Sequence, residues 1–103
     1  MIIYIAIGNS DDKLTQREWA NFHGAMYATI HASDDIKVHG EWFSSPTSAW
    51  QNACWCLEIT DESVFHRLRN SLRFYARRFN QDSIAWTEAK PTEFLTPSDP
   101  GVI

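Results

Sequence analysis

Four residues of this chain have side chains suited to metal or nucleophile chemistry and a spacing that could bring them together. Cys54 and Cys56 stand two apart in the alternating run from Ala53 to Ile59, and His39 and Glu41 stand two apart in the run from Ile36 to Phe43. Residues two apart on a strand point to the same side. If the two runs pair as a hairpin, two thiols, an imidazole and a carboxylate share one face. Such a set could hold zinc, or supply a cysteine nucleophile with a histidine base. Neither signal is specific. Cys-x-Cys is not the usual zinc-finger spacing, no second cysteine pair exists, and no oxyanion-hole loop is recognisable. A half-polar sheet face is the preferred reading, so no catalytic residue, metal ligand or cofactor is assigned. By the same alternation Tyr4, Lys37 and Glu58 belong to this face.

Two further groups suit recognition rather than chemistry. Phe43 and Trp50 flank the polar stretch from Ser44 to Asn52, where alternation leaves them outside the core while burying Trp42 and Trp55. Exposed aromatics beside a loop anchor protein partners; the competing reading folds Trp50 back as a lid on the core. Arg67, Arg69, Arg73, Arg77 and Arg78 are five of the nine basic residues, leaving four basic against 13 acidic residues elsewhere, a balance of −9. At about 100° per residue Phe74 falls opposite the Phe65-Leu68-Leu72 stripe, exposed among arginines. An arginine beside an exposed ring can grip an acidic protein, or bind a phosphate and stack a base. The plainer reading pairs most of the arginines with nearby acids. The Gly8-Asn9-Ser10-Asp11-Asp12 loop precedes a helix, but its two aspartates oppose an anion and are too few to form a cation site.

The elements that must position these residues follow from periodicity. Ile2 to Ile7 reads as a buried strand and Gly8 to Asp12 as the turn that ends it. Thr15 and Glu18 form a capping box, and Trp19, Phe22, His23, Met26 and Ile30 make the buried stripe of the helix that follows. The runs 36–43 and 53–59 read as strands joined by a long loop. Asp61-Glu62 opens a second helix, with Val64, Phe65, Leu68, Leu72, Tyr75, Ala76 and Phe79 facing inward. Ser83 to Glu88 reads as a short fourth strand. The order β-α-β-β-α-β predicts a ferredoxin-like α+β domain over residues 1–90: a four-stranded antiparallel sheet with two helices on one face. Residues 91–103, with Pro91, Pro97 and Pro100, read as an extended tail.

Composition bounds the function. A chain of 103 residues is the size of one domain, and 44% hydrophobic with 21% charged residues is an ordinary globular balance. Five Trp, six Phe and three Tyr exceed what so small a core needs, which favours a partner surface. A net charge of −4 argues against bulk nucleic-acid binding. No apolar run reaches the roughly 20 residues of a membrane span. The start, Met1 to Ile7, lacks a basic leader and a cleavage site. Cys54 and Cys56 on one strand have β-carbons roughly 6–7 Å apart, too far for a disulfide. Free thiols and no export signal lead to an expected cytoplasmic location.

Two stretches carry a resemblance: Gly8-Asn9-Ser10-Asp11-Asp12-Lys13-Leu14-Thr15-Gln16 with Glu18-Trp19, and His39-Gly40-Glu41-Trp42-Phe43-Ser44 with Trp50-Gln51-Asn52-Ala53-Cys54-Trp55-Cys56. Over about the first 60 residues the chain resembles small uncharacterised proteins of actinobacterial phages and prophages. No activity attaches to that group, and no functional residue is carried over. The resemblance implies an accessory protein acting in the cytosol of an infected bacterium.

The leading expectation is therefore a non-enzymatic interaction protein that binds a host or anti-phage-defence protein through Phe43, Trp50, Phe74, Arg73, Arg77 and Arg78. The open sheet face is expected to pair with a second copy as a homodimer. The alternatives are a small-ligand or nucleotide-binding protein, and a small enzyme working from His39, Glu41, Cys54 and Cys56.

Overall fold

Period-two patterning and two well-capped helices produce six elements. The computed structural model describes residues 1–98; the end of the expected tail, 99–103, lies outside the described residues. The elements are β1 (Ile2–Gly8), α1 (Gln16–His31), β2 (Ile36–Phe43), β3 (Asn52–Ile59), α2 (Glu62–Arg78) and β4 (Ala85–Glu88). The sheet order is β2-β3-β1-β4, with every neighbouring pair antiparallel. This is the ferredoxin-like βαββαβ arrangement. From residue 89 to 96 the chain has no regular structure.

Local chemistry fixes the helix starts. Thr15 Oγ1 accepts from the Glu18 backbone N–H at 3.1 Å, and the Thr15 N–H donates to the Glu18 carboxylate at 3.0 Å. These reciprocal bonds satisfy two otherwise orphaned groups and hold the Glu18 pKa below its ordinary value. Asp61 caps α2 through the Ser63 N–H at 2.8 Å. Arg77 and Arg78 sit in the last turn of α2, where the helix dipole favours cations.

The core lies between the sheet and the two helices. Ile3, Ile5 and Ile7 of β1 and Trp55, Leu57 and Ile59 of β3 meet Phe22, Met26 and Ile30 of α1 and Val64, Leu68 and Leu72 of α2. Phe22 and Trp55 are fully buried. Truncating either to Ala removes the largest volumes in this layer and should cost about 3–5 kcal/mol.

A buried amide network ties two loops together. Asn9 Nδ2 donates to the Leu14 carbonyl at 3.0 Å and to Gln51 Oε1 at 3.2 Å, while Asn9 Oδ1 accepts from the Leu14 N–H at 3.0 Å. Gln51 Nε2 donates to Gln16 Oε1 at 2.7 Å and to the Pro46 carbonyl at 3.3 Å. The β1–α1 turn is thereby locked to the β2–β3 loop through two side chains withdrawn from water, where each bond is strongly favoured over an unpaired group.

Candidate functional site

One irregularity in β2 redistributes the residues expected on the open face. Val38 pairs with Leu57, and Gly40, not His39, pairs with the next β3 residue, Cys56. His39 is the extra residue of a β-bulge, and one extra residue exchanges the faces of everything after it. Glu41 therefore stands beside Trp55, and Trp42 beside Cys54. This corrects two expectations. Trp42 is not buried: it lies on the open face, 56% exposed. Glu41 is not on the open face: it reaches the helix side and pairs with His31 at the end of α1.

The open face is consequently different from the set expected of regular alternation. Two rows cross all four strands: Trp42-Cys54-Ala6-Ala85 and Gly40-Cys56-Tyr4-Thr87. Small side chains fill the middle, with Trp42 and Tyr4 standing above them. Contact with Cys56, first by hydrogen bonding and then by charge repulsion, raises the Tyr4 phenol above its ordinary pKa. Charge is confined to one end. His39 Nε2 lies 2.7 Å from Glu58 Oε1, and Lys37 is the cross-strand neighbour of Glu58. The His39 hydrogen bond is the main cause that lowers the Glu58 pKa. His39 is thus engaged by a carboxylate, and Glu41 is on the other side of the sheet, so the four-residue set is not assembled. Among the described residues no three His, Cys, Asp or Glu side chains come together closely enough to hold a metal ion.

A cleft opens on the helix side, where sequence reading placed no site. Its volume is about 480 Å³. Trp19, Ala20 and His23 of α1 form one wall, and Phe43, Ser44 and Asn52 at the hairpin end form the other. Phe43 was expected to stand free for a partner. The face exchange instead brings it over the helix layer, where its ring lies edge-on to His23 at 4.6 Å and against Trp55 at 5.8 Å, with 41% of the residue still exposed. The His23 imidazole stacks parallel to Trp19 at 6.0 Å. Burial is the main cause that lowers the His23 pKa, opposed by the negative charge of Glu41. The His23 Nε2 and the Trp55 Nε1, on neighbouring rings 5.8 Å apart, are both shut from solvent without a hydrogen-bond partner among the described residues. Each such atom costs about 1–3 kcal/mol of desolvation. The Trp19-x-x-x-His23 helical spacing was legible as core; its role as a cleft wall depends on the bulge and was not.

The remaining expected surfaces lie apart from these two. Trp50 stands 70% exposed in the β2–β3 loop and does not close over the core. Phe74 is 55% exposed on α2. Arg69 is drawn inward, its guanidinium 5.0 Å from the Trp86 ring and 3.6 Å from Glu88. Arg73 donates to Asn70 Oδ1 at 3.2 Å, and Arg78 lies over Phe79 at 6.0 Å. Among the described residues no carboxylate lies within ion-pair distance of Arg73, Arg77 or Arg78, against the expectation that acids pair with most of the arginines. Also among the described residues, no helix is long and apolar enough to cross a membrane.

Topology and surfaces together define a ferredoxin-like α+β domain with one sheet face left open by the described residues. No family model matches the sequence, and no curated protein matches it. Among solved structures, the crystal structure of AtUAH in complex with glyoxylate is similar with a TM-score of 0.41 at 12% identity. The match covers 87% of this chain and 27% of that one, so this chain spans well under half of that chain's length. Likeness at that level carries no functional argument, and the fold assignment rests on the strand order.

Proposed function

We propose that this chain is a non-enzymatic interaction protein that pairs with a second copy through its open sheet face and presents Trp50 and the Phe74–arginine surface to a further protein. The observation that carries the reading is the position of Trp42. A tryptophan more than half exposed, beside a flat field of Cys54, Cys56, Ala6 and Ala85, is an anchor with no role in its own core. Trp42 stands on the β2 edge and Tyr4 on β1, while Ala6 and Ala85 leave a low strip toward β4, so on this reading a two-fold axis sets each Trp42 over the Ala6–Ala85 strip of the other copy. Four strands spaced about 4.8 Å, with residues rising about 3.4 Å, span roughly 20 by 20 Å. With side-chain relief this amounts to about 600–800 Å² per copy, within the range of stable interfaces.

Charge supports the same reading. His39, Lys37 and Glu58 largely neutralise one another at one end of the face, so pairing leaves no isolated charge in its middle. The resemblance of the first 60 residues to phage proteins suggests a host or defence protein as the further partner, working in the bacterial cytoplasm. Static light scattering tests the first step. Twice the chain mass at high concentration, falling to one chain in the Trp42→Ala variant, supports the reading; one chain mass at all concentrations opposes it.

A further inference from the structure

Beyond that reading, we propose that the cleft between α1 and the hairpin end binds a neutral planar heteroaromatic ring of nucleobase or nucleoside size. Three observations carry this. The lining is aromatic: Trp19 and His23, stacked on each other at 6.0 Å, and Phe43, in edge contact with His23 at 4.6 Å, all border the opening. Ring faces of this kind favour a flat ligand, and stacking tolerates any base. The volume of about 480 Å³ is in the range of small-molecule sites. The rim is polar and carries no fixed charge: beyond the bonds they make in the fold, Ser44 keeps a hydroxyl donor and Asn52 an amide oxygen, and among the described residues no Lys, Arg, Asp or Glu lines the cleft. That chemistry suits a ligand bearing both donors and acceptors on its edge. It offers nothing to a phosphate, which separates the proposal from a nucleotide site on the α2 arginines.

His23 supplies the specific contact. Its Nε2 has no partner among the described residues, and a neutral imidazole can accept there or donate, according to its tautomer. Phe43 lies against this imidazole at 4.6 Å and is itself 41% exposed, so on this proposal the entering ligand displaces the Phe43 ring to reach the nitrogen. A ligand edge entering beside Phe43 gives the imidazole the hydrogen bond that the fold does not. Protein surroundings built to pair a polar edge discriminate strongly against ligands lacking it.

The test is a thermal-shift and calorimetric titration of the intact chain with adenosine, guanosine, cytidine, uridine and their 5′-monophosphates at pH 7.5. At ten times its dissociation constant, at least one nucleoside is expected to raise the melting temperature by roughly 5–10 °C. Its monophosphate is expected to bind no more tightly. His23→Phe keeps the stacked ring but removes both nitrogens and should weaken binding at least tenfold. Ala20→Phe, on the exposed side of α1, fills the cleft without touching the core and should abolish binding. No response to any nucleoside at about 10 mM overturns the proposal. So does binding that survives Ala20→Phe, or that depends on the 5′-phosphate. Loss of binding in Ala20→Phe with an unchanged melting temperature of the free variant supports it even if His23→Phe fails to fold.

Discussion

Trp42 and Phe43 are adjacent in sequence and on opposite faces of the sheet, and replacing each by Ala should therefore give two different phenotypes. A fully extended tryptophan exposes about 250 Å², and 56% of that leaves about 140 Å² of Trp42 available to an interface. At about 25 cal/mol per Å² this is at most about 3.5 kcal/mol. Allowing for the area an alanine retains and the ordering of the ring, about 2 kcal/mol per copy remains. A two-fold dimer contains the contact twice, so Trp42→Ala should weaken self-association by about 4 kcal/mol, near a thousandfold in Kd. The fold itself should lose only about 1–2 kcal/mol, because the buried part of the ring covers the sheet surface and not the core. Phe43→Ala should do the reverse, lowering stability through lost contacts with His23, Tyr27 and Trp55 while leaving self-association unchanged. Sedimentation equilibrium measures the first quantity and urea unfolding the second. Equal effects of the two substitutions on association would refute the face exchange and the interface built on it.

Three further outcomes follow from the same geometry. Deleting His39 removes the bulge residue but keeps Val38 opposite Leu57 and Gly40 opposite Cys56, so the shortened chain should fold with Trp42 still on the open face, as seen by an unchanged tryptophan emission spectrum and cooperative melting; an unfolded product would oppose this. Asn9→Ala abolishes three buried hydrogen bonds and leaves the Leu14 N–H unpaired, which should cost about 3 kcal/mol in urea unfolding and lower the melting temperature by roughly 12–24 °C; a loss below about 1 kcal/mol would show the network to be incidental. Burial holds the His23 pKa below its unfolded value, so the neutral ring is the stabilising form; that stability is complete above about pH 6.5 and is lost as the pH falls toward the folded-state value. Unfolding free energies measured from pH 7.5 to 5 should fall less steeply for His23→Phe than for the parent, and identical slopes would contradict the assignment.

Much of the fold was legible in the residues. The capping box at Thr15 and Glu18, the helical stripe from Trp19 to Ile30 and the alternation of β3 each rest on local periodicity, and short-range chemistry decides them. The fourth strand was read slightly long at its start, because Ile84 contacts the core from just outside β4. What alternation could not carry was the face of every residue after His39. The stretch Val38-His39-Gly40-Glu41-Trp42 has no residue whose type demands a bulge, and regular alternation buries Trp42 and exposes Phe43 equally well on paper. The bulge is decided by tertiary fit: it delivers Phe43 to the helix layer beside His23 and Trp55, and Glu41 to His31. The glycine at position 40 and the unusual placement of a charged Glu between Gly and Trp were the available hints. The cleft escaped notice for the same reason, since one of its walls is made of residues whose face the bulge reassigns. The exposure of Trp50 and Phe74 is legible because it depends on loop position and helical angle, which the sequence states directly.

The most direct measurement of the central proposal uses the two thiols that the open face already carries. Alkylation rates of Cys54 and Cys56 should be measured from about 1 µM to about 1 mM protein, beside the mass in solution. Pairing through this face should slow both rates together as the mass doubles, and in Trp42→Ala both rates should be independent of concentration. Rates that stay constant while the mass remains that of one chain, or a dimer whose thiols react as fast as the monomer's, would contradict it.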